Sequence, residues 1–289
     1  MKNAARLCLG VGLTLSIASG LLAQAPAPPG PPRVLQIFRE EVKPGKGPAH
    51  QKWETGWPRA FAKVNWPTHF LGMTSVSGPS EAWFLTGYES FAAWEKDRQN
   101  FDNNRTLKAE DDRLTAGDGE FLSASRSIVA AYREDLSSKV VIQLPKMRYF
   151  RVLTFRVRPG HDSDFEEAAK IIKAGYEKAN VAVSWAAYQV SLGMPTPTYL
   201  VFLPMKSFDE IDASVARSKT MQEAYGEENQ KKMTKLASDG YLTIDSNIFA
   251  FDPKMSYPAK EFIAADPEFW TTKPPPAAKK EEGKPASKP

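Results

Sequence analysis

The stretch VKPGKGPAH at residues 42–50 returns as VRPGHDSDF at residues 157–165 in the other half of the chain. In both copies a valine, a basic residue and Pro-Gly end an apolar run and precede a segment with helical spacing of apolar residues. Proline and glycine terminate a strand because they favour turn conformations and interrupt the hydrogen-bond ladder. The pattern therefore predicts the same strand–turn–helix corner twice.

Two further pairs of stretches follow in the same order. SFAAWEK at 90–96 matches SFDEIDA at 207–213, and AGDGEFL at 116–122 matches ASDGYLT at 237–243. Matches that keep their order along the chain indicate an internal repeat. Each half has the pattern strand, helix, strand, strand, helix, strand, and we interpret the chain as a tandem duplication.

The packing of the halves can be predicted from YLVFL at residues 199–203, which is apolar at every position. A strand of this kind is buried on both faces. The helices of one unit cover only one face of its sheet, so the other face must pack against a second layer. The predicted fold is α+β, with two tandem ferredoxin-like (βαββαβ) units whose sheets pack face to face as an intramolecular α/β barrel.

The predicted domain boundaries follow from these patterns. They are a signal peptide at 1–25, a Pro-rich linker at 26–33, unit 1 at 34–135, a connector at 136–147, unit 2 at 148–252 and a C-terminal extension at 253–289. The extension ends in a Lys/Pro/Ala-rich tail. That tail has too few apolar residues to offset the entropy of ordering, so it is predicted to be disordered.

The N-terminus has the features of an export signal. Lys2 and Arg6 precede a short apolar core, and Ala23-Gln24-Ala25 is a small-residue cleavage site. We expect cleavage after Ala25, a periplasmic or secreted location in a bacterium, and no stable membrane insertion after cleavage.

Composition excludes several classes of function. The single cysteine, Cys8, lies in the predicted signal peptide, so the mature chain has no thiol for a disulfide, a nucleophile or an iron–sulfur cluster. The net charge of +4 comes from the leader and the tail, which argues against a nucleic-acid partner. The mature sequence also contains no nucleophile elbow, phosphate-binding loop or dinucleotide fingerprint.

The strand ending in VKPGK or VRPGH, followed by a helix, resembles the dimeric α/β-barrel (ferredoxin-like) superfamily. That superfamily includes antibiotic-biosynthesis-monooxygenase-like and NIPSNAP-like domains, and the SF that opens the second helix supports the resemblance. It covers about residues 33–252 and implies a ligand site between sheet and helices. Many members are dimers of single units, so a further homodimer of this chain is an open alternative.

The candidate site lies in the first half. His50, Trp53, Trp57 and Phe61 fall on one helical stripe, which Pro58 should kink or end early. The predicted ligand-binding residues are Trp53, Trp57, Phe61, Trp66, Trp83 and Tyr88, and the candidate catalytic residues are His50 and His69. In the alternative interpretation the tryptophans fill the core, His50 is solvated at a helix start and His69 is a hydrogen-bonded strand residue.

Two functions remain open at this level. The first is an exported or uncharacterised α/β-barrel protein that binds a small hydrophobic ligand. The alternative is a cofactor-independent monooxygenase, or a haem-binding or haem-degrading enzyme, with His50 or His69 as base or axial ligand. The sequence predicts no metal site and no cofactor, with haem as the alternative, and it leaves open whether the protein is an enzyme.

Overall fold

The computed structural model describes residues 30–141 and 143–271 as a closed eight-stranded barrel with helices on its outside. The predicted signal peptide and its cleavage site, the first half of the proline-rich linker, and the tail from residue 272 lie outside the described residues. Within the described ranges, none of the helices is both long and apolar enough to span a membrane.

The helices and strands alternate in a similar order in both halves, with two helices in the first crossover of the first half and one in that of the second half. The first half contains β1 (Val34–Val42), α1 (Gly47–Glu54), α2 (Gly56–Lys63), β2 (Phe70–Ser75), β3 (Glu81–Tyr88), α3 (Phe91–Asn103), α4 (Arg105–Asp118) and β4 (Leu122–Tyr132). The second half contains β5 (Tyr149–Val157), α5 (Asp162–Lys178), β6 (Ala186–Leu192), β7 (Thr198–Met205), α6 (Asp209–Ala216), α7 (Ser218–Gly240) and β8 (Tyr241–Phe251). Two short helices follow, α8 (Lys260–Ala265) and α9 (Pro267–Trp270).

The strand order around the barrel is β1-β3-β2-β8-β5-β7-β6-β4, and all neighbours are antiparallel. The expected α+β barrel within a single chain is confirmed. The two sheets do more than face each other, because β2 pairs with β8 and β4 pairs with β6. These two junctions leave neither sheet with a free outer edge strand.

The repeated corner occupies the same place in both halves. The register of β1 against β4 shifts between Glu41 and Val42, and the register of β5 against β8 shifts between Arg156 and Val157. Val42 and Val157 are the first residues of the two repeated stretches. Positions counted from these bulges can therefore be compared between the halves.

Side chains of both halves fill the barrel interior. Ile37, Met73, Ile128, Leu200 and Phe249 are fully buried in one cluster. On β7, Leu200 points into this cluster, whereas its neighbour Tyr199 packs outward against Phe165 of α5 with ring centroids 4.0 Å apart. The prediction that the strand at 199–203 is buried on both faces is confirmed.

The segment after β8 completes the interior core. Trp270 is only 3% exposed, contacts Phe251 with ring centroids 5.8 Å apart, and donates a hydrogen bond from Nε1 to Pro145 O at 2.7 Å. At Gly72 a Cβ atom would lie 2.5 Å from Met255 O, so glycine permits the close approach of this segment to β2. Residues 253–271 are thus part of the barrel's packing.

We predict that Trp270→Ala lowers the free energy of unfolding by about 3–5 kcal/mol, because it leaves a cavity beside Phe251. Chemical denaturation of the mature chain measures this change. Phe208→Ala, which removes an aromatic ring that is 43% exposed, is the matched control and should have a clearly smaller effect. Equal effects of the two substitutions would contradict the role assigned to the C-terminal segment.

Candidate functional site

A break in the first helical segment determines where its aromatic residues point. α1 ends at Glu54 and α2 begins at Gly56. Pro58 has no N–H to bond to Glu54 O, and its ring would collide with that carbonyl in a continuous helix. The expected effect of Pro58 is confirmed, and the break separates His50 and Trp53 on α1 from the aromatic residues on α2.

A cavity of about 650 Å³ lies between α1–α4 and the outer face of the first-half sheet. Its aromatic lining consists of Phe38, Trp57, Phe61, Trp66, Phe70, Phe84, Tyr88, Trp94 and Phe101. Phe38, on the sheet floor, is 48% exposed although it lies under the helices. The helices therefore stand away from the sheet, and the space between them has the size of a site for a small molecule.

The structure divides the six predicted ligand-binding residues. Trp57, Phe61, Trp66 and Tyr88 line the cavity, whereas Trp53 and Trp83 lie elsewhere. Trp53 packs between α1 and α4, where its Nε1 donates to Leu114 O at 3.1 Å. Its ring lies so close to Gly117 that a Cβ there would be 2.1 Å from Trp53 Cζ2.

Trp83 lies inside the barrel, on the opposite side of the sheet from the cavity. Its ring contacts Phe249 with centroids 4.7 Å apart, and its Nε1 donates to Glu81 Oε2 at 2.8 Å. The reason is the period of two along β3, which places Trp83 inward and Phe84 outward.

Four ionisable residues meet at the cavity wall, and we refer to Glu40, His50, Glu54 and Asp118 as the acidic–histidine cluster. Glu40 lies on β1, His50 and Glu54 on α1, and Asp118 at the end of α4. His50 Nε2 lies 2.9 Å from Glu40 Oε2 and 3.8 Å from Glu54 Oε1. His50 is only 2% exposed, so the alternative of a solvated histidine at a helix start is wrong.

The electrostatics of this cluster are unfavourable. Burial, together with the nearby carboxylates of Glu40 and Asp118, raises the pKa of Glu54 well above its ordinary value. Burial and Glu40 likewise raise the pKa of Asp118. Across the described ranges, His50 is the only basic side chain within ion-pair distance of Glu40 or Glu54.

Hydrogen bonding leaves the same carboxyl groups incomplete. Glu54 Oε1 and Asp118 Oδ1 are buried and have no hydrogen-bond partner among the described residues, and the two residues are 1% and 7% exposed. Glu40, Glu54 and Asp118 all line the cavity, with His50 behind them. Buried carboxyls with unmet hydrogen-bonding capacity beside a cavity are typical of a functional site rather than of packing.

A second polar group faces the same cavity. Tyr88 Oη donates to Asp97 Oδ2 at 3.0 Å, and Thr68 Oγ1 donates to Asp97 Oδ1 at 2.6 Å. Burial and the Asp97 carboxylate raise the pKa of Tyr88, so the phenol remains protonated. A ligand in the cavity would meet polar groups here as well as at the acidic–histidine cluster.

His69 does not join this site. It precedes β2, and its ring packs on Tyr257 with centroids 4.8 Å apart, whereas its neighbours Thr68 and Phe70 line the cavity. Burial lowers the pKa of His69, and its Nδ1 has no hydrogen-bond partner in the part of the chain that the structure describes. The two candidate catalytic histidines are therefore not brought together.

Haem held by either histidine does not fit this arrangement. Within the described ranges, no histidine is among the residues that line the cavity, and His50 lies behind Glu40 and Glu54 in its wall, where a haem in the cavity would not reach it. His69 packs against Tyr257 instead of facing the cavity.

Reasoning from sequence did not identify Glu40, Glu54 and Asp118. One signal was available, since Glu54 lies four residues after His50 and therefore on the same face of the helix. Glu40 and Asp118 carry no comparable local signal, because a strand and a distant helix end bring them to the cluster only in the folded chain.

No protein-family model matches the chain, and no curated protein matches it in sequence. Solved structures do match. One is a protein of Fusobacterium nucleatum subsp. nucleatum that is provisionally assigned as a monooxygenase, with 12% identity, a TM-score of 0.50, and coverage of 76% of this chain and 93% of that one. Another is an anthrone oxidase-like protein, with 14% identity, a TM-score of 0.51, and coverage of 76% and 91%.

A third structure is a protein provisionally assigned as a chlorite dismutase, with 14% identity, a TM-score of 0.48, and coverage of 77% of this chain and 96% of that one. The first two similarities establish a common barrel fold, and at these levels of identity they leave the reaction undetermined.

We predict that Glu54→Gln and Glu81→Gln change stability in opposite directions. Among the described residues, the basic side chain within ion-pair distance of Glu54 is His50, at 3.8 Å, so the neutral amide should raise the free energy of unfolding by about 1–3 kcal/mol. Glu81 accepts a hydrogen bond from Arg39 Nε at 3.0 Å, so its amide leaves Arg39 without a charge partner and should lower that free energy by about 2–4 kcal/mol.

Denaturation of both variants at neutral pH with a chelator present makes the comparison. Each variant is the control for the other, since both replace a buried glutamate by its isostere. A loss of stability in both would contradict the view that the acidic–histidine cluster is electrostatically uncompensated.

Proposed function

We propose that the protein is an oxygenase-type enzyme that binds a planar hydrophobic molecule in the sheet–helix cavity and acts on it at the acidic–histidine cluster. The observation that carries this proposal is the meeting of an aromatic-lined cavity of about 650 Å³ with buried, incompletely bonded carboxyls in its wall. Aromatic walls supply contact area to a flat ligand, and the carboxyls supply chemistry at one position on it.

The cluster favours an enzyme over a pure binding protein. Apolar ligands need no buried carboxylates, and a group such as Glu54 reduces stability unless it is paired. Residues that lower stability at a cavity wall are typical of sites retained for activity. The hypothesis that the sequence favoured, a binding protein without catalytic activity, uses the same cavity. It differs from this proposal only in that the bound ligand is not converted to a product.

The proposed reaction is the oxidation of a ligand that has an acidic methylene group beside a carbonyl group. Asp118 faces the cavity, and its Oδ1 has no hydrogen-bond partner among the described residues, so it is placed to accept the proton. The resulting carbanion is electron-rich and reduces dioxygen. Overall, one methylene group and one dioxygen molecule give one new carbonyl group and one water molecule, so carbon is oxidised and dioxygen is the oxidant.

The proposal also covers the location of the protein, the origin of its two halves and its oligomeric state. Export with cleavage after Ala25 would place the enzyme in the periplasm or outside the cell. The matching strand order and bulges support two ferredoxin-like units derived by duplication. A homodimer and a NIPSNAP-like or monooxygenase-like ancestry remain parts of this interpretation.

We predict that anthrone, a flat tricyclic ketone, quenches the tryptophan fluorescence of the mature chain by binding in the cavity. Trp57→Ala should weaken binding at least about tenfold because it removes an aromatic wall residue. Trp185→Ala, a tryptophan of the second half that packs on Tyr176, should leave the affinity unchanged. Equal affinity in both variants would remove the cavity from the proposal.

We further predict that the chain accelerates oxygen uptake by anthrone and that Asp118→Asn lowers kcat about a hundredfold with little change in anthrone affinity. Asp239→Asn is the matched control, since Asp239 has the same place in the repeated stretch ASDGYLT but pairs with Lys235. Binding without any oxygen uptake above the spontaneous rate would favour the binding-protein alternative.

A further inference from the structure

We propose that Glu40, His50 and Glu54 form a site for one divalent transition-metal ion that opens onto the sheet–helix cavity. The three donor atoms, Glu40 Oε2, His50 Nε2 and Glu54 Oε1, come from β1 and α1, and they all lie within 4.8 Å of one another. Two of the separations, from His50 Nε2 to the two carboxylate oxygens, are 2.9 Å and 3.8 Å.

These separations suit a single ion. Bonds from a metal to nitrogen or oxygen ligands are about 2.0–2.2 Å, so two ligand atoms of one ion lie at most about 4.4 Å apart. The donor triangle therefore needs only small side-chain adjustments to surround a cation. The three donor atoms belong to the strand β1 and the helix α1, and the packing of the barrel fixes the positions of both elements.

An independent observation points to a missing ligand. Glu54 is 1% exposed, and its Oε1, the atom of the proposed triangle, has no hydrogen-bond partner within the described ranges. A buried carboxylate oxygen without a partner is strongly unfavourable. A cation between Glu54 and His50 would bind this oxygen. It would also balance the negative charge of Glu40 and Glu54, for which His50 is the only basic partner in the described part of the chain.

The second half shows that the fold itself does not require these residues. Counted from the matching bulges, Glu40, His50 and Glu54 correspond to Phe155, Phe165 and Ala169. Those three residues belong to one apolar cluster, in which Phe155 and Phe165 have ring centroids 5.1 Å apart. The same position can therefore be packed with apolar groups, and the polar set in the first half has another purpose.

The donor set indicates the type of ion. Two carboxylates and one imidazole are oxygen- and nitrogen-rich, which suits Mn²⁺, Fe²⁺, Co²⁺ or Zn²⁺ better than Cu⁺. Three protein ligands leave at least one coordination position for water or a substrate oxygen, as in catalytic rather than structural sites. Glu40 and Glu54 line the cavity, so this open position faces the proposed substrate.

The test is direct metal binding to the untagged mature chain, stripped with a chelator and titrated with Co²⁺ by calorimetry and visible absorption. We expect the unchanged chain to bind one Co²⁺. His50→Ala and Glu54→Gln should bind it at least about a hundredfold more weakly. His69→Ala, His161→Ala and Glu81→Gln keep every proposed ligand and should bind Co²⁺ as the unchanged chain does.

Glu54→Gln separates a lost ligand from a lost fold, because this variant is expected to be at least as stable as the unchanged chain. A wild-type chain that binds no Co²⁺ stoichiometrically, or a Glu54→Gln variant that binds it equally well, would overturn the proposal. No substrate enters the titration, so the outcome is independent of whether the protein turns over anthrone.

Discussion

The whole structure depends on the closure of two four-stranded sheets at their edges. Each sheet has apolar side chains on its inner face, and each would leave outer strands with unpaired backbone groups if it stood alone. The β2–β8 and β4–β6 pairings satisfy these edges and bring the inner faces into one core that includes Ile37, Met73 and Phe249. Closure supplies a continuous sheet on which the outer helices can pack tightly or stand apart.

The two halves use this freedom differently. In the second half α5 lies directly on the sheet, with Phe165 stacked on Tyr199. In the first half the chain breaks between α1 and α2, and the helices leave a cavity above Phe38 and Phe84. A similar backbone order thus yields a packed side and an open side, and the difference lies in side-chain chemistry and one proline.

At the acidic–histidine cluster, the proposed function conflicts with local stability. Apolar residues occupy the corresponding positions in the second half, so the fold does not require carboxylates there. Their burial raises the pKa of Glu54 and leaves its Oε1 unpaired among the described residues, which is unfavourable in the absence of a ligand. A cation bound at the cluster would relieve this condition. The cluster lies in the wall of the cavity, which links the metal proposal to the cavity without making either depend on the other.

The sequence alone determined the repeated corner, the burial of YLVFL on both faces and the break at Pro58, because each follows from local backbone rules or from the period of the apolar residues. It also placed Trp57 and Phe61 among the ligand-binding candidates, but it grouped Trp53 and Trp83 with them. The sequence pattern does not show which side of a broken helix Trp53 occupies, or which face of the sheet Trp83 occupies. Only the tertiary structure assembled Glu40, His50, Glu54 and Asp118, and only it separated His69 from them. The physical reason is that a strand, a helix and the end of a distant helix meet there through packing, and contacts between residues far apart in the chain leave no periodic trace in the sequence.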